Sequence, residues 1–397
     1  MLSIFSPLSF LIFWGGGLLL NKRILQIGNF IYLLFLLSLW LYVYSAIINS
    51  SLQGVFSMLH LMVYSCVLIA IKTKSIILFY IFFELSVLPI SLIVFLYGYQ
   101  PEKLQAVLTL LLYTIVRRFP LLIYIIKDVH TLTSSFLMTI PMTLRFLVKT
   151  PMYLFHTWLP KAHVEAPVGG SMVLAGVLLK LGSYGLLLFL PLVKSNILIS
   201  GYIGISLVGS LIASAICMRQ GDLKILIAYS SVVHMTVVTL GFLRGRELGQ
   251  ACGLMIVLRH GLCSPMLFAY RFWLYETSHS RLITNNSCNW PLMMAGFLGL
   301  VSLNIGVPPR LRLWAEVLMA MSFISILRRS FPFLLLIFFF GAAFNLFLYT
   351  SCMHCKFNAS FRSFSYKHLY PLNQTLFLGY GSFLCLDLFH LSIDFSL

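Results

Sequence analysis

Six ionisable side chains stand within or at the end of long apolar runs, and all are of types that pass protons on. Glu84 lies in SIILFYIFFELSVLPISLIVF, Lys180 in SMVLAGVLLKLGSYGLLLF, His234 in LIAYSSVVHMTVVTL and His260 in LMIVLRHGLCSPMLF. Lys149 closes another apolar run just ahead of Pro151, and Glu316 sits in LWAEVLMAMSF. A charge at the centre of a bilayer costs ~2.5–3.5 kcal/mol on insertion scales, so such groups face a bundle interior and mark a pathway. Burial raises a carboxylate pKa and lowers that of an amine, while an imidazole begins near neutrality. Two carboxylates, two amines and two imidazoles therefore form a set that can exchange protons along a wet path. A Glu/Lys pair can hold a proton in two arrangements of similar energy. The structural alternative for His234 and His260 is a hydrogen bond between helices, and for Lys149 a side chain that snorkels from a helix end.

The segment from Lys149 to Pro167 holds the densest group of titratable residues, with His156, His163 and Glu165. The two histidines are candidates for a secondary relay or gate, as is Lys224. Asp222 and Lys224 together read as a helix-start pair. His156, His163 and Glu165 match no common metal-ligand spacing, and no metal site is expected. Cys352 and Cys355 form one CxxC around His354, but no second pair follows, and the other cysteines lie singly in the chain. They read as small apolar residues near a helix end.

These residues need elements that hold them inside a membrane. The chain has 397 residues, 60% hydrophobic and only 9% charged, with a mean hydropathy of +0.97. A water-soluble domain carries about a quarter charged residues. Runs of about 20 apolar residues predict spans near 4–20, 24–48, 52–71, 75–99, 104–126, 132–150, 167–190, 197–217, 223–243, 249–273, 291–327, 331–350 and 371–393. The fold class is thus an all-α polytopic membrane protein of about 13 spans. Residues 1–74 read as N-terminal spans, 75–345 as the core that holds the six ionisable residues and 346–397 as a C-terminal loop and span. The N-terminal run has no positive n-region and reads as a span, not a signal peptide.

Prolines at 151, 160 and 167 should stop any continuous helix, and Pro308-Pro309 should interrupt the span that begins near 291. Pro89 should loosen the helix just past Glu84. Broken helices at membrane depth line cavities, and two in one chain point to a transporter. The net charge of +17 is scattered through apolar runs and forms no nucleic-acid stripe. Lys22, Arg23, Lys72 and Lys74 oppose Lys356, Arg362 and Lys367, so the basic residues fix no orientation.

KTPMYLFHTWLPKAHVEAPVGGSMVLAGVLLKLGSYG (149–185) and RQGDLKILIAYSSVVHM (219–235) resemble signatures of the chain-4 family of mitochondrial NADH:ubiquinone oxidoreductase, respiratory complex I. FELSVLPISLI (83–93), RHGLCSPMLF (259–268) and NIGVPPRLRLWAEV (304–317) add shorter matches in the same order. The resemblance implies an antiporter-like fold of 13 to 14 helices, with two inverted five-helix repeats that each contain a broken helix. It places Glu84, Lys149, Lys180, His234, His260 and Glu316 at the positions of a proton relay. It implies a multi-pass chain of the mitochondrial inner membrane with no cofactor of its own. FMN, iron–sulfur clusters and ubiquinone would belong to other subunits. The partners implied are the other membrane-arm subunits, including neighbouring antiporter-like chains, and membrane lipid, with no nucleic acid. A free-standing cation/proton antiporter subunit and a non-conducting structural subunit are the competing readings.

Arginines at 117, 118, 259, 310, 312, 328 and 329 depart from the family pattern, which has small or polar residues there, and Arg271 ends an apolar run. A mid-span Arg117-Arg118 pair with no acid nearby would be very costly. Many invertebrate mitochondria read AGA and AGG as serine, where the standard code gives arginine. Some of these positions are therefore expected to carry serine, whereas Arg219, within a motif that includes arginine, is expected to be genuine. Peptide mass spectrometry across 113–127 should find serine at 117 and 118; arginine at both ends this reading.

Overall fold

A computed structural model describes residues 24–49, 54–73, 75–98, 100–116, 136–190, 196–245, 247–283, 291–307, 311–324 and 330–353. The described residues are overwhelmingly helical. An apolar chain that must leave no backbone group unpaired in lipid has this as its solution, because each helix satisfies its own N–H and C=O groups. The first helices are α1 (Ile24–Ile48), α2 (Val55–Lys72), α3 (Ile76–Leu85), α4 (Val87–Tyr97) and α5 (Lys103–Val116). The middle of the chain forms α6 (Phe136–Lys149), α7 (Trp158–Glu165), α8 (Val168–Val173) and α9 (Leu179–Phe189), with a π-helical turn at Leu174–Leu178 between the last two. The remainder forms α10 (Asn196–Met218), α11 (Leu223–Leu243), α12 (Glu247–Ser278), α13 (Pro291–Ile305), α14 (Leu311–Ile324) and α15 (Phe331–Met353).

Eight helical stretches are long and apolar enough to cross a membrane, among the described residues. The expected spans near 4–20 and 371–393 lie outside them. The interior is built by the stretch Val168–Phe189, α11 and α12, whose residues are mostly buried, while α1 and α15 bury only one side. The helix α11 packs against α10 and α12; α12 also packs against α14, and α10 against α15. The outer faces expose Met58, Leu108, Leu112, Leu335 and Phe339. Such a surface suits lipid and not water.

Two helix breaks fall where the prolines place them. Helix α6 stops at Lys149, one residue before Thr150-Pro151, and α13 ends at Ile305, with Gly306 at a φ of 84°. Pro160 does not stop a helix. It occupies the first turn of α7, where its missing N–H would have no intrahelical partner in any case. The expected loosening near Pro89 is a turn at Ser86, which divides the Ile76–Tyr97 span into α3 and α4 two residues after Glu84. Pro265 lies inside α12 without ending it.

Glycines bring α9 against α6. A Cβ on Gly182 would stand 3.1 Å from the Lys149 Cβ, and one on Gly185 would lie 2.2 Å from Phe146 Cε1. The helix that carries Lys180 can therefore press its glycine face onto the helix end that carries Lys149. Gly185→Leu should force these helices apart and destabilise the chain by ~1–3 kcal/mol or more. The loss should appear as less assembled complex on a native gel, partly restored by Phe146→Ala; full assembly of the single variant would contradict this packing.

Candidate functional site: a buried chain of ionisable groups

Glu84 is buried at the end of α3, where α6 crosses it. Lys149 Nζ lies 3.2 Å from Glu84 Oε1 and donates a hydrogen bond to the Phe83 carbonyl, also 3.2 Å away. The same ammonium sits over the Phe83 ring. Arg145 Nη2 pairs with the same Glu84 oxygen, and its guanidinium lies over the Tyr80 ring, 4.4 Å from the centroid. Arg145 and Lys149 are one helical turn apart, so α6 presents both to α3 on one face. The sequence reading did not mark Arg145; this four-residue spacing was its available signal.

Lys180 is fully enclosed. Its Nζ donates to the Ala175 carbonyl at 2.5 Å and meets His260 Nδ1 at 2.7 Å. The acceptor carbonyl belongs to the π-helical turn just before α9. Such turns widen a helix and recur at functional sites. The rings of His260 and His234 stand 5.6 Å apart at 63°. His234, from the middle of α11, makes no hydrogen bond through Nε2 among the described residues. Arg259 precedes His260 and donates from Nη1 to the Leu303 carbonyl and to Asn304 Oδ1, at 2.9 and 3.0 Å. Glu316 is half-buried on α14, where Oε1 accepts from Arg312 Nε one turn earlier.

The three candidates for gating lie around α7. Lys224 donates to the carbonyls of Val164 and Ala166, both at 2.7 Å. The pair expected between Asp222 and Lys224 is therefore not what holds this side chain: its ammonium turns to the end of α7. Asp222 takes the N-cap position of α11 without a side-chain cap bond. His163 is fully enclosed and stacks on Phe268 at 4.7 Å, with neither ring nitrogen hydrogen-bonded among the described residues. His156 stacks on Tyr153 at 4.9 Å and meets Tyr229 edge-on. Among the described residues no three His, Cys, Asp or Glu side chains come together as a metal site. Cys355 of the CxxC lies outside them.

The sequence candidates thus gather into clusters: Glu84 with Lys149; Lys180 with His260 and His234; and Glu316 on α14. The first two are joined through the contact of α6 and α9. The family described as NADH:quinone oxidoreductase/Mrp antiporter, transmembrane, matches residues 73–345, which contain every one of these side chains.

The chain belongs to this family.

Among relatives of the antiporter family, NADH-ubiquinone oxidoreductase chain 4 of the invertebrate Ceratitis capitata is 38% identical over 380 residues, covering 86% of this chain and 84% of its own. The corresponding protein of Locusta migratoria, another invertebrate, is 39% identical over 330 residues, covering 76% of this chain and 74% of its own. A chain of respiratory complex I from Thermus thermophilus with bound NADH matches in structure with a TM-score of 0.78 at 23% identity, covering 88% of this chain and 79% of that one. The antiporter-like fold expected from the sequence is therefore present.

Lys224→Met should leave the carbonyls of Val164 and Ala166, one part-buried and one buried, without this donor, at about 1–3 kcal/mol. Hydrogen exchange should speed up across 158–168 and little elsewhere; unaltered exchange would remove Lys224 as the clasp of α7.

Proposed function

We propose that the chain is a proton-conducting subunit in the membrane arm of NADH:ubiquinone oxidoreductase in the mitochondrial inner membrane. Its path runs through Glu84, Lys149, Lys180, His260, His234 and Glu316. The observation that carries this reading is the hydrogen bond between Lys180 and His260 in the enclosed centre of the helix bundle.

A lysine and an imidazole in contact can share one proton in two ways. With the amine as donor, His260 Nδ1 accepts and its own hydrogen stands on Nε2, directed elsewhere. Transfer of the Lys180 proton to Nδ1 leaves a neutral amine and frees the imidazolium to release its Nε2 hydrogen onward. His234, with its ring beside His260 and its Nε2 unbonded among the described residues, would take part in that next step. At the other end, Glu84 and Lys149 form an ion pair whose opening changes the charge that faces α9. Loss of the Glu84 contact leaves the Lys149 charge less compensated, which discourages re-protonation of the neutral Lys180 amine. Re-formation of the pair reverses this. His156, His163 and Lys224 would gate access near α7.

The chain would carry no redox centre; flavin, iron–sulfur clusters and ubiquinone would act in other subunits. Coupling to those reactions supplies the work against the membrane potential, about 2.3 kcal/mol per charge per 100 mV. The relatives named above favour this reading over a free-standing antiporter, because their similarity covers most of their length. Membrane-arm subunits and lipid would then meet the exposed apolar faces.

Lys180→Met and Glu84→Gln, each in an assembled complex, should reduce proton translocation per NADH oxidised by at least about tenfold relative to the parent, a barrier change of about 1.4 kcal/mol. Lys180→Arg should not restore it, because a guanidinium does not give up its proton. Translocation unchanged in both variants would leave a structural subunit. Purification apart from any NADH-oxidising complex would leave the antiporter.

A further inference from the structure

The arginines divide sharply by burial. Arg145, Arg259, Arg271 and Arg312 are buried, whereas Arg219 is exposed and Arg244 and Arg281 are half-buried. With these four arginines counted, seven lysine and arginine side chains are buried against two carboxylates, Glu84 and Glu165, among the described residues. Without them, Lys149, Lys180 and Lys224 face the same two. An apolar interior tolerates buried charge when it is paired and hydrogen-bonded. Donors on three of the four have no acceptor among the described residues: Nε and Nη2 of Arg259, Nη2 of Arg271 and Nη1 of Arg312.

Three of the four also occupy the proposed path. Arg145 shares the Glu84 oxygen with Lys149. Arg259 is close enough to act electrostatically on Lys180, His234 and His260. Arg312 holds Glu316, and its Nη2 comes within 2.8 Å of where a Cβ on Gly341 would stand. A guanidinium stays protonated, so it cannot act as a stop in a relay. It also leaves a fixed positive charge beside each point that a proton must cross.

We propose that positions 145, 259, 271 and 312 carry serine in the mature chain, and that water fills the space which the arginine side chains would take at 145, 259 and 312. The second half rests on the relay reading; the first does not. AGA and AGG codons at these positions would give arginine by the standard code and serine in many invertebrate mitochondria, and the relatives named above are from invertebrates. The inference adds 145 to the positions marked by the sequence pattern, and burial is what separates it from Arg219 and Arg281. Serine removes four positive charges from the interior. It leaves a hydroxyl, which both donates and accepts, beside Glu84, beside the Lys180–His260 pair and beside Glu316. Such a site is polar and roomy enough for water with several partners.

The test is tandem mass spectrometry of this chain from the intact complex, digested with a protease of broad specificity, across 136–150, 255–273 and 311–318. Serine is expected at 145, 259, 271 and 312, with arginine at 219 and 281 in the same sample. Arginine at 145 or 259 overturns the inference. A density map of the complex should show ordered water within hydrogen-bonding reach of Glu84 and of the side chain at 145; a dry site packed by apolar groups overturns the second half. Intact pumping in the Lys180→Met variant would defeat the relay reading and leave the serine assignment standing.

Discussion

An ammonium group shut away from water must find acceptors in the protein around it, and Lys180 is the strictest case in this chain. Its acceptors come from two directions: a carbonyl of its own helix and an imidazole from α12. Both require departures from regular packing. The carbonyl of Ala175 is offered by a widened turn, and the imidazole reaches the amine because small residues let the helices close in. Gly176 and Gly261 lie at that approach, with a Cβ on Gly261 falling 3.5 Å from the Gly176 carbonyl. The three innermost helical segments are arranged around this one need.

The same solution recurs at each buried lysine. Lys149 donates to the carbonyl of Phe83, just ahead of the turn at Ser86. Lys224 donates to the carbonyls of Val164 and Ala166 where α7 gives way to α8. In every case a main-chain irregularity supplies the acceptor. A regular helix spends its carbonyls internally, whereas the last turn of a helix leaves some over and carries a partial negative charge. Broken helices thus do two things in this bundle: they open a route through it, and they hold its cations.

Much of this was legible in the sequence, for a definite reason. Glu84 and Lys180 are so improbable in an apolar run that position alone marked them, and their shared surroundings followed from hydropathy. The breaks after Lys149 and Ile305 were legible because proline and glycine act locally. Pro160 misled because its effect depends on position in a helix, and a first-turn proline helps where an interior one harms. The π-helical turn had no visible signal in LAGVL, whose residues suit a regular helix equally well. Lys224 was misassigned to Asp222 because nearness in sequence stood in for nearness in space; its acceptors lie some 60 residues earlier in the chain.

The widened turn also fixes the phase of the helix that follows it. Successive residues of an α-helix are rotated by roughly 100° about its axis. The π-helical turn at Leu174–Leu178 therefore behaves as one extra residue slipped into the span. Removing a single residue there would restore a smooth helix of almost the same length and hydropathy. It would also swing the amine of Lys180 about a quarter-turn away from the imidazole. The span would still cross the bilayer, but its one charged side chain would point at the wrong neighbour.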